Sequence, residues 1–226
     1  MAESIRLRPW SKRGIIMEFK QVASARHSVR DYTDQPVDPQ DIRDIVQTAG
    51  KAASWCNSQP WHVYAVAGEK LETLRGEWAR RLATGDQGGM DFEGVHRETM
   101  TAQAAANMDA FFAAVAPYHE NHTMAPQVLY GAQAVLILTV PKDASPYVMF
   151  DLGAFSEQLM LAATDKGLGS LVAAMYVIYA DTLRTTLNIP DDEAIAIGIG
   201  LGHTSDAPTN GIRTARMDLD QYLTFC

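Results

Sequence analysis

A chain of 226 residues with 47% hydrophobic and 20% charged residues has the composition of an ordinary folded domain, which excludes a disordered chain, collagen and a charged coiled coil. Nineteen Lys plus Arg against 27 Asp plus Glu give a net charge of −8, with a pI of about 5.2. That balance argues against nucleic acid or an anionic membrane as the main partner, since both need a basic footprint.

The first 16 residues, MAESIRLRPWSKRGII, are basic but lack the apolar stretch of a signal peptide. Residues 1–17 are expected to be an arm without function, and residues 18–226 a single domain. A short helix is predicted over Glu18 to Ala25. Asp38-Pro39 is a strong helix start, an N-cap followed by Pro at the first helical position. The helix carries Ile42, Ile45, Val46 and Ala49 on one stripe. Ala53 to Pro60 breaks the pattern and reads as loop. Trp61 to Ala67 alternates and is rich in β formers, so a strand follows. Helices are predicted over Glu69 to Leu82 and, Ala-rich, over Val95 to Val115, with a Gly-rich loop from Thr84 to Asp91 between them. Ala134 to Val140 is a continuous apolar run, as in a strand buried on both faces, and is far too short to span a membrane. A long helix over Val148 to Lys166 ends at Gly167. Ala180 to Asn188 is another helix, closed by Pro190, and Ala194 to Ile199 a further strand. The tail from Pro208 is irregular, then short and amphipathic. The fold class is helix-rich α+β with few strands. Two cysteines and ten methionines suit a cytosolic protein rather than a disulfide scaffold.

Five clusters are candidates for chemistry. Arg26-His27-Ser28-Val29-Arg30 offers two guanidinium forks and a hydroxyl, which suit a phosphate. Taken alone it reads rather as a solvated turn with its arginines paired to Asp31 and Asp34. Ser54 to Trp61 sets Ser, Asn and Gln between two Trp, which can hydrogen-bond and stack on a planar ligand. Cys56 within it has no neighbouring base and is expected to be a small buried packing residue. Gly167 to Met175 permits close backbone approach to something flat, or is a tight helix-to-strand turn. Gly198-x-Gly200-x-Gly202 follows a strand, but His203 stands where a dinucleotide fingerprint continues and no helix opens there. Arg213 and Arg216 form a second cationic pair, or serve solubility. His119-x-x-His122 lacks helper ligands for a metal, and no Gly-x-Ser-x-Gly hydrolase motif occurs.

Taken in order, RHSVRDY at 26–32, ASWCNSQPWHVYAV at 53–66, DLGAFSEQLMLAATDKGLGS at 151–170, AIAIGIGLG at 194–202 and RTARMDL at 213–219 resemble the FMN-dependent nitroreductase family over residues 18 to 225. The resemblance implies an α+β fold with a central, mostly antiparallel sheet flanked by helices, in an intertwined homodimer with FMN at the interface. It places Arg26, His27 and Ser28 on the ribityl phosphate and Arg30 beside the flavin pyrimidine. Ala53, Ser54, Trp55 and Asn57 would come from the partner chain. Val172, Ala173 and Ala174 would run along the ring, with a backbone N–H of Ala174 or Met175 facing flavin N5. Arg213 and Arg216 would close on the phosphate. Relatives often carry a Lys toward flavin N1, and that place falls on Gln127. The stretch from Gly85 to Thr123 would roof the pocket. The implied activity is NADH- or NADPH-dependent reduction of nitroaromatics, quinones or similar acceptors by ping-pong hydride transfer, with no catalytic side chain. The same fold also serves dehalogenases, enone reductases and non-catalytic flavin carriers.

Overall fold

A computed structural model of the chain describes residues 18–94, 96–118 and 129–226. The arm 1–17, Gln127 and the pair His119 and His122 lie outside these residues.

Among the described residues ten helices and strands follow one another: α1 (Phe19–Ala25), α2 (Pro39–Ala49), β1 (His62–Ala67), α3 (Gly68–Ala83), α4 (Ala102–Val115), β2 (Ala134–Pro141), α5 (Pro146–Asp165), β3 (Gly169–Ala173), α6 (Ala180–Leu187) and β4 (Glu193–Gly202), with short 3₁₀ turns between some of them. The four strands form one antiparallel sheet in the order β1-β2-β4-β3. Asp38 caps α2 as expected, its carboxylate accepting from the Gln40 amide at 2.8 Å with Pro39 at the first position.

β2 explains why its sequence is unbroken apolar. Val135 and Ile137 face a core built with Leu71, Leu74, Trp78, Tyr176 and Tyr179. Leu136, Leu138 and Val140 face the opposite core, with Ile42 and Ile45 of α2 and Leu152, Phe155 and Leu159 of α5. Each such side chain contributes about 1.5–3 kcal/mol by leaving water. The sheet is therefore the middle of a three-layer structure.

The glycines of β4 find their reason here. Thr139 pairs with Ile195 while Leu138 pairs with Ile197, so β4 holds one extra residue and its faces exchange. Beyond this bulge Ile197, Ile199 and Leu201 join the α2–α5 core, and Gly198, Gly200 and Gly202 face the other way. A Cβ on Gly198 or Gly200 would lie 2.2 or 2.1 Å from Tyr176, and one on Gly202 2.6 Å from Tyr32. The repeat is a seat for two tyrosine rings, consistent with its failure as a dinucleotide fingerprint. Among the described residues the buried Tyr176 hydroxyl has no hydrogen-bond partner.

Several expectations are corrected. Val95 itself is outside the described residues, and the helix expected from it begins at Ala102, where the Thr101 hydroxyl caps the Ala104 amide at 3.2 Å. A separate 3₁₀ turn covers Arg97–Thr99 before it. The glycine-rich stretch after α5 contains a true strand, β3, because pairing with β4 satisfies its backbone. Cys56 is exposed rather than packed. Trp61 stacks inward on Phe155 with centroids 4.7 Å apart, so it is not a platform for a ligand.

At the start of β4 the Glu193 carboxylate accepts from His62 Nδ1 at 3.0 Å and Tyr64 Oη at 3.1 Å, and from the Thr139 hydroxyl. Burial raises its pKa, but the bonds from Thr139, His62 and Tyr64 outweigh burial and hold it below the ordinary carboxylate range. Its stabilising effect is thus full above the unfolded value of about 4.3 and is lost as pH falls through the lower folded value. The stability advantage of wild type over Glu193→Gln, measured by urea unfolding, is expected to narrow below about pH 4. An equal gap at pH 7 and pH 3 would remove the carboxylate from this role.

Candidate active site

The first cationic cluster leaves the C-terminus of α1 as extended backbone. Ser28 bridges Ser170 of β3 in parallel, and the Val29 amide donates to the Ser170 carbonyl at 2.9 Å. This pairing covers the free edge of β3 and aims the segment along it. The second cluster follows a short 3₁₀ turn, Pro208–Gly211. Asn210 joins the two. Its Oδ1 accepts from the amides of Arg30 (2.8 Å) and Asp31 (3.2 Å), and its Nδ2 donates to the carbonyls of Asp31 (2.7 Å) and Ser205 (3.1 Å). Asn210 is buried, so each of these bonds excludes water. Nothing in the sequence around Asn210 announces this role.

The clamp creates a cavity of about 280 Å³ lined by Ser24, Arg26, His27, Ser28, Arg30, Ile212, Arg213, Thr214 and Arg216. Arg26 pairs with Glu157 of α5 at 3.4 Å, not with Asp31 or Asp34. Asp31 is bonded instead by the Ser205 hydroxyl. Arg30 donates to the Ser28 carbonyl at 3.1 Å and lies 5.9 Å from the Phe111 ring of α4. Arg213 donates to the carbonyls of Asn210 and Ile212, and Arg216 to the Thr214 hydroxyl and nearby carbonyls. Among the described residues no carboxylate lies within ion-pair distance of Arg30, Arg213 or Arg216.

Arg30 is only 9% exposed. Burial lowers its pKa from the ordinary arginine value, against the opposing influence of Tyr130 and Tyr32. A buried cation facing only neutral partners calls for an anion from elsewhere. His27 lines the same cavity, with its Nδ1 fixed 2.8 Å from the Ala25 carbonyl.

The Ser54 loop stands apart on this chain. Ala53, Ser54 and Trp55 line an apolar cavity of about 460 Å³ with Pro146, Tyr147, Phe150 and Asp151 of α5. It shares no lining residue with the cationic cavity. Asn57 lines neither, and its Oδ1 accepts from Gln59 Nε2 at 3.2 Å. Trp55, Tyr147 and Phe150 are exposed, as is Val172 at the end of β3. Ala173 ends that strand, and Ala174 and Met175 enter the 3₁₀ turn Ala174–Tyr176. Met175 carries a fixed carbonyl, bonded by Trp78 Nε1 at 2.8 Å. The α4 side of the site is a larger hollow, about 840 Å³, between Phe111 and the chain from Arg213 to Tyr222.

The family model described as "Nitroreductase family" matches residues 23–203. The chain belongs to the nitroreductase family.

The chain is 28% identical over 219 residues to nitroreductase NfnB of Mycolicibacterium smegmatis, covering 91% of the chain and 92% of that relative. It is 26% identical to a 4-nitrobenzoate reductase of a Nocardioides species, over 93% of the chain and 90% of that protein. Its backbone matches the FMN-dependent nitroreductase NfnB from Mycobacterium smegmatis in complex with NADPH, with a TM-score of 0.82 and 27% identity, over 92% of this chain and all of that one. It matches the FMN and NADPH-dependent NfnB from Sphigopyxis sp. strain HMH with a TM-score of 0.85 and 25% identity, over 93% of this chain and 99% of that one. The nitroreductase fold inferred from the ordered motifs is therefore correct. Of the nitroreductase's described helices, none is long and apolar enough to cross a membrane, and no cluster of His, Cys, Asp or Glu among its described residues could hold a metal ion.

Proposed function

We propose that the chain is an FMN-dependent oxidoreductase that takes electrons from NADPH or NADH and passes them to nitroaromatics, quinones or similar electron-poor acceptors. The observation that carries this reading is the cavity in which Arg26, Arg30, Arg213 and Arg216 gather, three of them without a carboxylate among the described residues. Forked cations with hydroxyls at Ser24 and Ser28 fit a phosphate, and the exposed end of β3 beside them fits a planar ring. The residues present therefore suit FMN.

When bound, FMN supplies reversible hydride transfer, the chemistry that the protein's own side chains lack. Arg26, Ser28, Arg213 and Arg216, which line one cavity, would hold the phosphate. Arg30 fixes positive charge at the flavin pyrimidine, where negative charge develops on reduction, and its burial strengthens that effect. Phe111 over the Arg30 guanidinium keeps water from screening it. Val172 to Ala174 would present their backbone to the flavin ring, and a backbone N–H of Ala174 or Met175 would serve its reactive nitrogen. Nicotinamide and acceptor use one exposed face in turn, so no separate nicotinamide domain is needed. Protons come from water, so no acid or base is required.

The chain acts as a homodimer in this reading. The loop Ala53–Asn57 of one protomer packs on the ring held by the other, which accounts for its separation from the cationic cavity within one chain. The exposed Trp55, Tyr147 and Phe150 support such a contact. Two exposed free cysteines suit a reducing cytoplasm.

The purified protein is expected to show flavin absorbance near about 450 nm, directly or after adding FMN. Anaerobic NADPH or NADH is expected to bleach it, and a nitroarene to restore it. Absence of any flavin band overturns the cofactor, and bleaching without recovery overturns the acceptor class. A monomer in gel filtration overturns the shared site.

A further inference from the structure

We propose that Asp151 is the positioning residue of the Ser54–Gln59 loop, its buried carboxylate holding a strained segment in the shape that meets the flavin ring. The proposal rests on the functional reading above, in which this loop packs on the ring.

Three observations converge on Asp151. It lies in the second turn of α5 and is 3% exposed, yet no cation lies within ion-pair distance among the described residues. An unpaired carboxylate in an apolar wall is costly, so the bond that it makes is the feature to explain. That bond runs from the Trp55 amide to Asp151 Oδ2 at 2.9 Å.

The loop is also strained. Cys56, Asn57 and Gln59 have φ of 46°, 60° and 47°. Asn tolerates that region, but Cys and Gln do so poorly. Strain of this kind persists only where the surroundings over-determine it. The remaining hydrogen bonds of the loop are internal. The Asn57 amide donates to the Ser54 carbonyl, the Ser58 amide to the Trp55 carbonyl, and the Gln59 amide to Ser54 Oγ at 3.0 Å. These bonds shape the loop but do not say where it sits. Among the described residues two tethers reach another element, and both go to α5. One is the Trp55 amide on Asp151; the other is the Trp55 ring on Tyr147, 5.0 Å between centroids. The ring contact is tilted and adaptable, whereas the charge-assisted bond has direction. It is the bond that sets the place of Ser54 and Trp55.

The third observation is that Asp151 lines the same apolar cavity as Ala53, Ser54 and Trp55. Losing the carboxylate therefore frees the loop to relax within an existing space.

The test uses three variants of the FMN-loaded protein: Asp151→Ala, Asp151→Leu, which keeps the volume, and Asp151→Asn, which keeps an acceptor oxygen. Flavin affinity is read by fluorescence quenching with FMN and with riboflavin. Acceptor turnover is read as kcat and KM, and amide exchange over residues 54–59 by mass spectrometry. Asp151→Ala and Asp151→Leu are expected to weaken both flavins by the same factor, about 10- to 100-fold for one charge-assisted bond, because the ring contact is lost and the phosphate contact kept. Exchange rises over 54–59 alone, and Asp151→Asn restores both readouts to near wild type. A folded Ala or Leu variant with wild-type flavin affinity and wild-type loop exchange overturns the proposal. So does Asp151→Asn behaving like Asp151→Leu. If Ala or Leu speeds exchange over 54–59 while flavin affinity stays at wild type, the anchor stands and the loop's contact with the ring falls. Failure of wild type itself to bind either flavin overturns the functional reading as well.

Discussion

Replacing Arg26 and Arg213 together by alanine is expected to weaken FMN binding at least about 100-fold and to leave riboflavin binding within about threefold of wild type. Each charge-assisted bond to a phosphate contributes about 1.5–3 kcal/mol. Two would give about 3–6 kcal/mol, at about 1.4 kcal/mol per tenfold. Arg213 is the more exposed of the pair, so solvent screening sets the expectation toward the lower end. Riboflavin lacks the phosphate and serves as the control for misfolding. Loss of Arg26 leaves Glu157 unpaired, but its side chain is half exposed and hydrates at little cost. The remaining FMN affinity should also depend less on salt, since fewer screened contacts survive. Equal losses for FMN and riboflavin would overturn the phosphate assignment.

Gly200→Ala is expected to be among the most destabilising single changes outside the site. The added methyl would lie 2.1 Å from Tyr176 Oη, 2.7 Å from Tyr176 Cζ and 3.0 Å from Ala132 Cβ. The ring cannot retreat, because Tyr176 is fully buried between β4 and Tyr130. Overpacking of this kind costs about 3 kcal/mol. Urea unfolding should show a lower midpoint with an unchanged slope. Tyr176→Phe in the same assay should be neutral or slightly stabilising, because the hydroxyl that it removes is buried and unpartnered. A wild-type midpoint for Gly200→Ala would mean that the sheet yields more easily than its packing indicates.

Local chemistry made much of this fold legible. Asp38-Pro39 announced α2, and the apolar run in β2 announced a strand covered on both faces. What stayed hidden depended on distant partners. β3 has too few side-chain cues of its own and exists through its pairing with β4. The glycine repeat in β4 could not be read without the bulge that turns it toward Tyr176 and Tyr32. At the site, the arginine clusters were visible as composition, but their meeting was not. It is made by Asn210, an unremarked residue in a turn, and the separate Ser54 loop is held by Asp151, one carboxylate among many. Cys56 misled because small thiols usually bury, while here a loop held in positive φ turns it outward.

The clamp at Asn210 has a temporal consequence. Arg30 and Asn210 are 180 positions apart. During synthesis the first half of the anion cavity leaves the ribosome early and waits through all four strands of the sheet before the second half exists. No nascent chain can assemble the arginine pocket until the stretch from Asn210 to Arg216 is translated. The yellow colour of a preparation, in the proposed reading, thus counts polypeptides extended past Arg216, and a product cut before Asn210 would purify colourless however well its sheet had formed.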